Sequence, residues 1–331
     1  MAKIAVIGSG SWATAMIKML NDNQQEKYIH WWVRKEEDIE YIKKYHHNPS
    51  YLSAVEIKLG DDSLHSDVRK AVQNSDIIIL NTPAAYLENA LTGLTAQDFK
   101  NKLFVSAIKG IVPSSKMIVG EFLNEKYGVP IDDIVVVGGP CHAEEVSLEK
   151  LSYLTFASKN TANAALIAQF FQTHYIKTVI SHDILGVEYG AVLKNIYALA
   201  CGICHGLGYG DNFQAVLISN AIREMEYFVN ALDPQKREIN QSAYLGDLLV
   251  TSYSQFSRNR TFGNMIGKGY SVKSAQLEMN MVAEGYFASE CIQDIILDHK
   301  LEMPICNMVY SILYRNISAL IAVKQLADKL T

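Results

Sequence analysis

The residues Lys3-Ile4-Ala5-Val6-Ile7 run straight into Gly8-Ser9-Gly10-Ser11-Trp12-Ala13, and Thr14, Ala15, Met16, Ile17, Met19 and Leu20 continue with the spacing of a helix. A short apolar run rich in branched residues suits a parallel strand covered on both faces. The turn that follows reads G-x-G-x-x-A. Gly8 permits the tight bend, Gly10 lets the backbone approach a pyrophosphate, and Ala13 takes the third glycine position of a dinucleotide fingerprint. The N-terminus of the helix behind it stabilises anionic oxygens through unpaired N–H groups. Strand, glycine turn and helix in that order commit the chain to an α/β dinucleotide-binding fold.

Further strands fit the same plan. Tyr28–Val33 is the second, and no acid closes it; Arg34 and Lys35 stand there instead, followed by Glu36 and Glu37. A basic pair at this point either accepts a 2′-phosphate, which favours NADPH over NADH, or forms a solvated turn. Ile77–Leu80 and Leu103–Ala107 are buried strands, with Asn81-Thr82-Pro83 and Ile108-Lys109-Gly110 at the carboxyl edge where ligands sit in open sheets. Ile134–Val137, Tyr153–Ser158 and Tyr175–Ser181 complete a Rossmann-type, doubly wound domain expected over 1–181. Beyond Asp183 long apolar helical patterns take over, at 187–204, 211–231, 272–296 and 304–328, so an all-α domain is expected over 182–331. Between them lies a polar, basic stretch from Thr251 to Gly269. A chain of 331 residues is long enough for two cores, and without a low-complexity linker the two domains are expected to meet in one cleft.

The segment from Gly186 to Asn212 carries the chemistry. Charge is nearly absent between Val187 and Ile203, yet Lys194 sits in the middle, next to Asn195. Its helical neighbours at three and four residues are Gly190, Ala191, Tyr197 and Ala198, mostly small, so a bulky group can approach the ammonium. A salt-bridged or snorkelling lysine is the plain alternative to a working one. Net charge of −5 with signs interspersed gives no reason to expect a nucleic-acid or membrane partner. No apolar run is read as approaching the ~18–20 residues of a membrane span. The five scattered cysteines read as free thiols of a reducing compartment. His46, His47, His142 and His205 lack ligand spacing, so no metal is expected. Met1-Ala2-Lys3 leads directly into a strand, which argues against a signal peptide and for a cytoplasmic protein.

Taken together, the motifs resemble the glycerol-3-phosphate dehydrogenases that use NAD or NADP. The resemblance spans nearly the whole chain: G-S-G-S-W-A-T-A at 8–15, S-A-I-K-G-I at 106–111, G-P-C-H-A-E-E-V at 139–146, G-V-E-Y-G-A-V-L-K-N at 186–195, G-D-N at 210–212, L-G-D-L at 245–248, T-S-Y-S-Q-F-S-R-N-R at 251–260 and E-G at 284–285. It implies reversible hydride transfer between a nicotinamide and C2 of a three-carbon phosphate, feeding glycerophospholipid synthesis. By the same resemblance Lys194 is the acid/base, with Asp247 and Lys109 beside it in catalysis. Lys109, Asn195, Asp247, Thr251, Ser257, Arg258 and Asn259 would bind substrate. Gly8, Gly10, Ser11, Trp12, Ala13, Arg34, Lys109, Gly139, Ala143, Arg258, Val282 and Glu284 would contact NAD or NADP. A homodimer is left open.

Departures from the family pattern fall at Ala13, at Cys141 and His142, at Asn240-Gln241-Ser242-Ala243-Tyr244 and at Asn220; none removes a catalytic candidate. Two other readings stand beside it. A β-hydroxyacid or 6-phosphogluconate-type dehydrogenase would place the assisting asparagine four residues after the lysine, where this chain has Ala198. A non-catalytic NAD(H) sensor would be expected to lack at least one of Lys109, Lys194, Asp247 and Arg258, and all four are present.

Overall fold

A computed structural model describes residues 1–279 and 283–331 of the chain. They form two compact units: Met1–Ile108 with Met117–Ile184, and Lys109–Lys116 with Leu185–Thr331. The segment Lys109–Lys116, which by sequence position falls within 1–181, therefore packs with the helices.

The first unit is built on one sheet. Its strands are β1 (Ala2–Ile7), β2 (Lys27–Trp32), β3 (Leu64–His65), β4 (Ile77–Leu80), β5 (Leu103–Ser106), β6 (Ile134–Gly138), β7 (Ser152–Ala157) and β8 (Ile176–Ser181), ordered β8-β7-β6-β5-β4-β1-β2-β3. Ile4 of β1 lies opposite Ile29 of β2 on one side and Ile77 of β4 on the other, both in parallel register. The strand order reverses here, which makes the ends of β1 and β4 the place where such sheets take ligands. Every residue of β4 and β6 is buried, as expected of strands with helices on both faces. The sheet is mixed, because β7 runs antiparallel to β6, pairing Phe156 with Val137. Two-residue β3 was not expected; its signal is too short to stand out, and it is held by Val33 N–H donating to the His65 carbonyl at 2.9 Å.

Helices make up most of the second unit. The longest, Ile184–Gly206, is buried at every position from 186 to 204, including Glu188, Lys194 and Asn195. Contrary to the sequence reading, this helix is long and apolar enough to cross a membrane by length and composition, but 94% of its apolar window is buried inside the protein. It is a core helix. Asp211–Leu232 follows as expected, whereas the two later apolar patterns each divide. The pattern at 272–296 forms Val272–Glu278 and Glu284–His299, with Met279 and Ala283 both in extended backbone. The pattern at 304–328 forms Pro304–Tyr314 and Ala319–Ala327, interrupted by Asn316 at φ 54, a left-handed conformation that asparagine tolerates and a continuing helix does not. Apolar spacing carries across such breaks and does not reveal them.

The polar stretch from Thr251 to Gly269 is largely helical, lying in the end of Asp247–Tyr253 and in Arg258–Gly267. The second of these crosses the long helix with the two backbones in contact. Gly202 and Gly206 on one helix face Gly263 and Gly267 on the other; a Cβ on Gly263 would stand 3.0 Å from the Ile203 nitrogen, and one on Gly206 would stand 2.9 Å from the Gly267 Cα. Backbone atoms cannot rotate aside as a side chain can. Gly263→Ala should therefore lower the unfolding free energy in a urea titration by about 1–3 kcal/mol through overpacking, despite a helix-propensity gain of up to ~1 kcal/mol. Gly60→Ala, where a Cβ meets nothing within 4 Å, should stay within about 0.5 kcal/mol of the unaltered protein.

Candidate active site

Lys194 lies in the long buried helix with only 5% of its surface exposed. Above Gly190, one turn back, stands the ring of Tyr244, whose Cδ1 is 3.2 Å from where a Cβ would be. The room that the small neighbours of Lys194 create is thus partly filled by the chain itself. Tyr244 belongs to a π-helical turn, Ser242–Gly246, and this wider turn opens directly into Asp247 at the start of the next helix. Such turns gather at functional sites, and no sequence signal marked this one.

Asp247 is 1% exposed and holds both lysines. Its Oδ2 accepts from Lys109 Nζ at 3.0 Å, and its Oδ1 accepts from Lys194 Nζ in a close ion pair. Thr251 donates its hydroxyl to the Asp247 carbonyl at 2.6 Å, fixing the backbone that carries the carboxylate. Two ammonium groups thus share one buried carboxylate. Burial pushes the Lys194 ammonium down, the Asp247 carboxylate opposes this only in part, and the nearby Lys109 charge adds to the depression, leaving it at about 7. For Asp247 burial works against the charged form, yet the two lysines, Lys109 foremost, hold its carboxyl below the usual range. The cluster sheds its excess charge most easily as a proton from Lys194.

A relay of side-chain amides ties this cluster to its surroundings. Asn195 Nδ2 donates to the Lys109 carbonyl at 2.8 Å, Asn259 Nδ2 donates to Asn195 Oδ1 at 2.9 Å, and the Gly285 N–H donates to Asn259 Oδ1 at 2.9 Å. Gly285 is needed there, since a Cβ would stand 2.7 Å from the Asn195 carbonyl oxygen. Ser257, also buried, caps helix Arg258–Gly267 by accepting from the Arg260 N–H at 3.3 Å. Arg258, the first residue of that helix, is exposed, and Glu284, half-buried, opens helix Glu284–His299. Of the expected catalytic and substrate-side residues, Lys109, Lys194, Asn195, Asp247, Thr251 and Asn259 are thereby linked within one unit. Val282 lies outside the described residues.

The expected dinucleotide residues of the first unit gather at the ends of β1, β2 and β6. Gly8 has φ +128, and a Cβ on it would stand 2.9 Å from the Asn81 carbonyl carbon, so only glycine fits. Gly10 caps helix Ser11–Asp22 without a side-chain bond and faces open space, with nothing within 4 Å of a Cβ position. Ser11 and Trp12 are half-buried on the first turn, Ala13 is buried, and that turn carries no acid that would repel a phosphate. Gly139 has φ +104 and comes within 2.7 Å of the Tyr153 carbonyl oxygen at its Cβ position, while Ala143 starts the short helix behind it. Arg34, just past β2, is exposed. Four residues around this edge keep buried polar atoms without a hydrogen-bond partner: Trp12 Nε1, both side-chain polar atoms of Asn81, Thr82 Oγ1 and Ser106 Oγ. Buried polar groups are rarely left so, and a dinucleotide supplies the donors and acceptors they lack. The edge fits NAD or NADP. Asn81, Thr82 and Ser106 stood outside the expected contact set, although the position of Asn81 and Thr82 at the end of β4 was a visible signal.

Removing Asp247 tests the charge argument. Asp247→Ala leaves the buried Lys194 ammonium facing the partly buried one of Lys109 and should cost about 3–5 kcal/mol of stability near neutral pH. Lys194, depressed in the folded state and ordinary when unfolded, penalises folding fully below its folded pKa, and the penalty fades as pH rises towards ~10.4. Without Asp247, which raises it, Lys194 is depressed further still, so the deficit measured by urea unfolding should shrink as pH rises towards about 7, the value with Asp247 in place, above which Lys194 is neutral in both folded proteins; a deficit independent of pH would overturn this account.

Comparison with known proteins places this geometry in context. The chain matches the model of the NAD-dependent glycerol-3-phosphate dehydrogenase N-terminus over residues 3–164 and that of the C-terminus over 183–324. It is 34% identical to the glycerol-3-phosphate dehydrogenase [NAD(P)+] of Oceanobacillus iheyensis over 329 residues, covering 99% of this chain and 94% of that protein. The Bacillus subtilis protein of the same description is also 34% identical, over 98% of this chain and 94% of its own. Among solved structures, a glycerol-3-phosphate dehydrogenase from Coxiella burnetii superposes with a TM-score of 0.90 at 25% identity, covering 98% of each chain. From the fingerprint through the lysine cluster to the closing helices, this chain belongs to the NAD-dependent glycerol-3-phosphate dehydrogenase family.

Proposed function

We propose that the protein is an NAD(P)-dependent glycerol-3-phosphate dehydrogenase that moves a hydride between the nicotinamide and C2 of glycerol 3-phosphate or dihydroxyacetone phosphate. The Lys109–Asp247–Lys194 cluster, buried at Asp247 and Lys194, carries this reading. In the oxidation, C2 loses its hydrogen as hydride and its hydroxyl loses a proton, so a base must lie within reach of that oxygen. Lys194 in its neutral form takes the proton. In the reduction the protonated lysine returns it, and the Lys109 ammonium stabilises the negative charge that develops on the C2 oxygen. Asp247 holds both lysines in place, and Thr251 holds Asp247. When bound, the nicotinamide supplies or accepts the hydride.

Arg258 supplies planar donors for the substrate phosphate. Ser257 and Asn259 frame it, although the structure engages their side chains in a helix cap and in the amide relay respectively. The first unit takes the dinucleotide along Gly8, Gly10, Ser11, Trp12, Ala13, Gly139 and Ala143, with Glu284 and Val282 of the second unit as further proposed contacts. Arg34, exposed just past β2 where no acid stands, offers a planar cation to a 2′-phosphate, which favours NADPH. Supply of glycerol 3-phosphate to cytoplasmic glycerophospholipid synthesis is the role proposed for the reaction.

The mechanism is tested at Lys194. Lys194→Met should keep the fold and dinucleotide binding and lose roughly 10²–10⁴-fold in kcat, read by thermal unfolding, cofactor titration and turnover on one preparation. In the unaltered enzyme the oxidation should quicken, and the reduction slow, as pH rises through the Lys194 pKa near 7. Lys109→Met removes one cause of the depression and should move that inflection upward. A stable Lys194→Met variant with near-normal turnover would remove this residue from the chemistry.

Cofactor choice is tested at Arg34. Arg34→Ala should weaken NADPH by roughly ten- to a hundredfold, the scale of a lost charged hydrogen bond, with little effect on NADH. Strong selectivity for NADH that survives the substitution would overturn the preference.

A further inference from the structure

Segment 46–57 sits beside the fingerprint and is no part of the family's motifs given above. It closes on itself through the Ile57 N–H, which donates to the His46 carbonyl at 2.8 Å, and it bends through His46 at φ 58 and Leu52 at φ 47. One side chain from this loop, Asn48, is 3% exposed and makes four hydrogen bonds. Its Oδ1 accepts from the backbone N–H groups of Ser50 at 3.0 Å and Tyr51 at 3.1 Å. Its Nδ2 donates to the Ser9 carbonyl at 3.0 Å and to Thr14 Oγ1 at 2.9 Å. Thr14 Oγ1 in turn donates to the Gly10 carbonyl at 3.1 Å. Both donors and both acceptor sites of the amide are used, so its orientation is fixed.

The peptide plane makes these bonds matter beyond the loop. In a trans peptide the C=O and the following N–H point in opposite directions. Drawing the Ser9 carbonyl towards Asn48 turns the Gly10 N–H the other way, and holding the Gly10 carbonyl through Thr14 does the same for the Ser11 N–H. Those are donors that a fingerprint turn offers to a pyrophosphate. Gly10 itself gives no help, being free of steric contact at its Cβ position and extended at φ −78 and ψ −175. A glycine turn with no such anchor loses conformational entropy on every binding event.

We infer that Asn48 is a positioning residue for the dinucleotide, orienting the anion-binding N–H groups of the turn directly at Ser9 and through Thr14 at Gly10. This rests on the reading that the fingerprint binds NAD or NADP, and the test separates the two. NADH and NADPH are titrated against tryptophan fluorescence, with thermal unfolding of each protein measured alongside. Asn48→Ala should weaken both dinucleotides by roughly tenfold or more, the scale of one or two lost hydrogen bonds. The loss should appear in cofactor Kd and KM, with kcat at saturating cofactor falling far less. Thr14→Val, which removes only the hydroxyl link, should show a smaller loss in the same direction, and Thr14→Ser should restore binding. Should Asn48→Ala fail to fold, Thr14→Val against Thr14→Ser decides. If the unaltered protein binds neither dinucleotide, the reading of the fingerprint falls and the inference with it. If it binds and the Asn48→Ala and Thr14→Val variants bind as tightly, with or without a lower melting temperature, the fingerprint reading stands and the role of Asn48 is overturned.

Discussion

One buried and one partly buried ammonium group, held by one buried carboxylate, set the terms for the helical unit. An isolated charge in such a place costs several kcal/mol even after relaxation, on the order of the stability of a whole domain. The arrangement persists because Asp247 is nearly completely enclosed and paired on both oxygens, and because Lys194 can give up its proton at little cost. The property that makes the cluster expensive also makes it reactive. A lysine in water is a poor base at neutral pH because it is almost fully protonated; burial and the neighbouring Lys109 charge remove that obstacle.

A cluster of this kind works only if its geometry cannot relax. The protein limits relaxation by bringing backbone against backbone. The long helix meets helix Arg258–Gly267 through Gly202 and Gly206 on its own side and Gly263 and Gly267 on the other, each against backbone, and it meets Gly285 at the start of helix Glu284–His299 through the Asn195 carbonyl. Each contact fixes a helix position with atoms that have no rotamers. The amides of Asn195 and Asn259 then link the same three segments by hydrogen bonds and end on the carbonyl of Lys109. The dinucleotide edge uses the same device differently, with Gly8 tight against the chain at Asn81 and Gly139 tight against Tyr153. In one unit close approach holds the lysine cluster; in the other it shapes the glycine turns at the sheet edge.

Much of this was legible in the sequence. The strand into Gly8-Ser9-Gly10 and the alternation to Ser181 specified a doubly wound sheet, with strand ends displaced by a residue or so, but neither β3 nor the antiparallel run of β7 against β6. Local chemistry decides such features: branched apolar runs, glycine turns and helix starts act over a few residues. Lys194 stood out for the same reason, as a charge in an otherwise apolar helix. The apolar patterns at 272–296 and 304–328 misled, because apolar spacing is blind to a break that keeps the same face inward, and the long helix was more apolar over its length than its two interior charges suggested.

The sequence by itself specified the strand, glycine turn and helix around Gly8–Ala13 and the lysine inside an apolar helix, since each depends on residue type and near neighbours, whereas Lys109, Asp247 and Asn259 took their roles only from resemblance to the family. Tertiary structure alone decided who touches whom. Lys109 joins Lys194 and Asp247 across separations of 138 and 53 residues from Asp247. Asn195 and Asn259 turn their amides to each other, and Asn48 reaches back 39 residues to the Ser9 carbonyl. No local rule specifies such partners. A side-chain amide or a glycine without a Cβ is compatible with many neighbours, and only the packed chain, where buried polar groups must find one another and backbones must fit, selects among them.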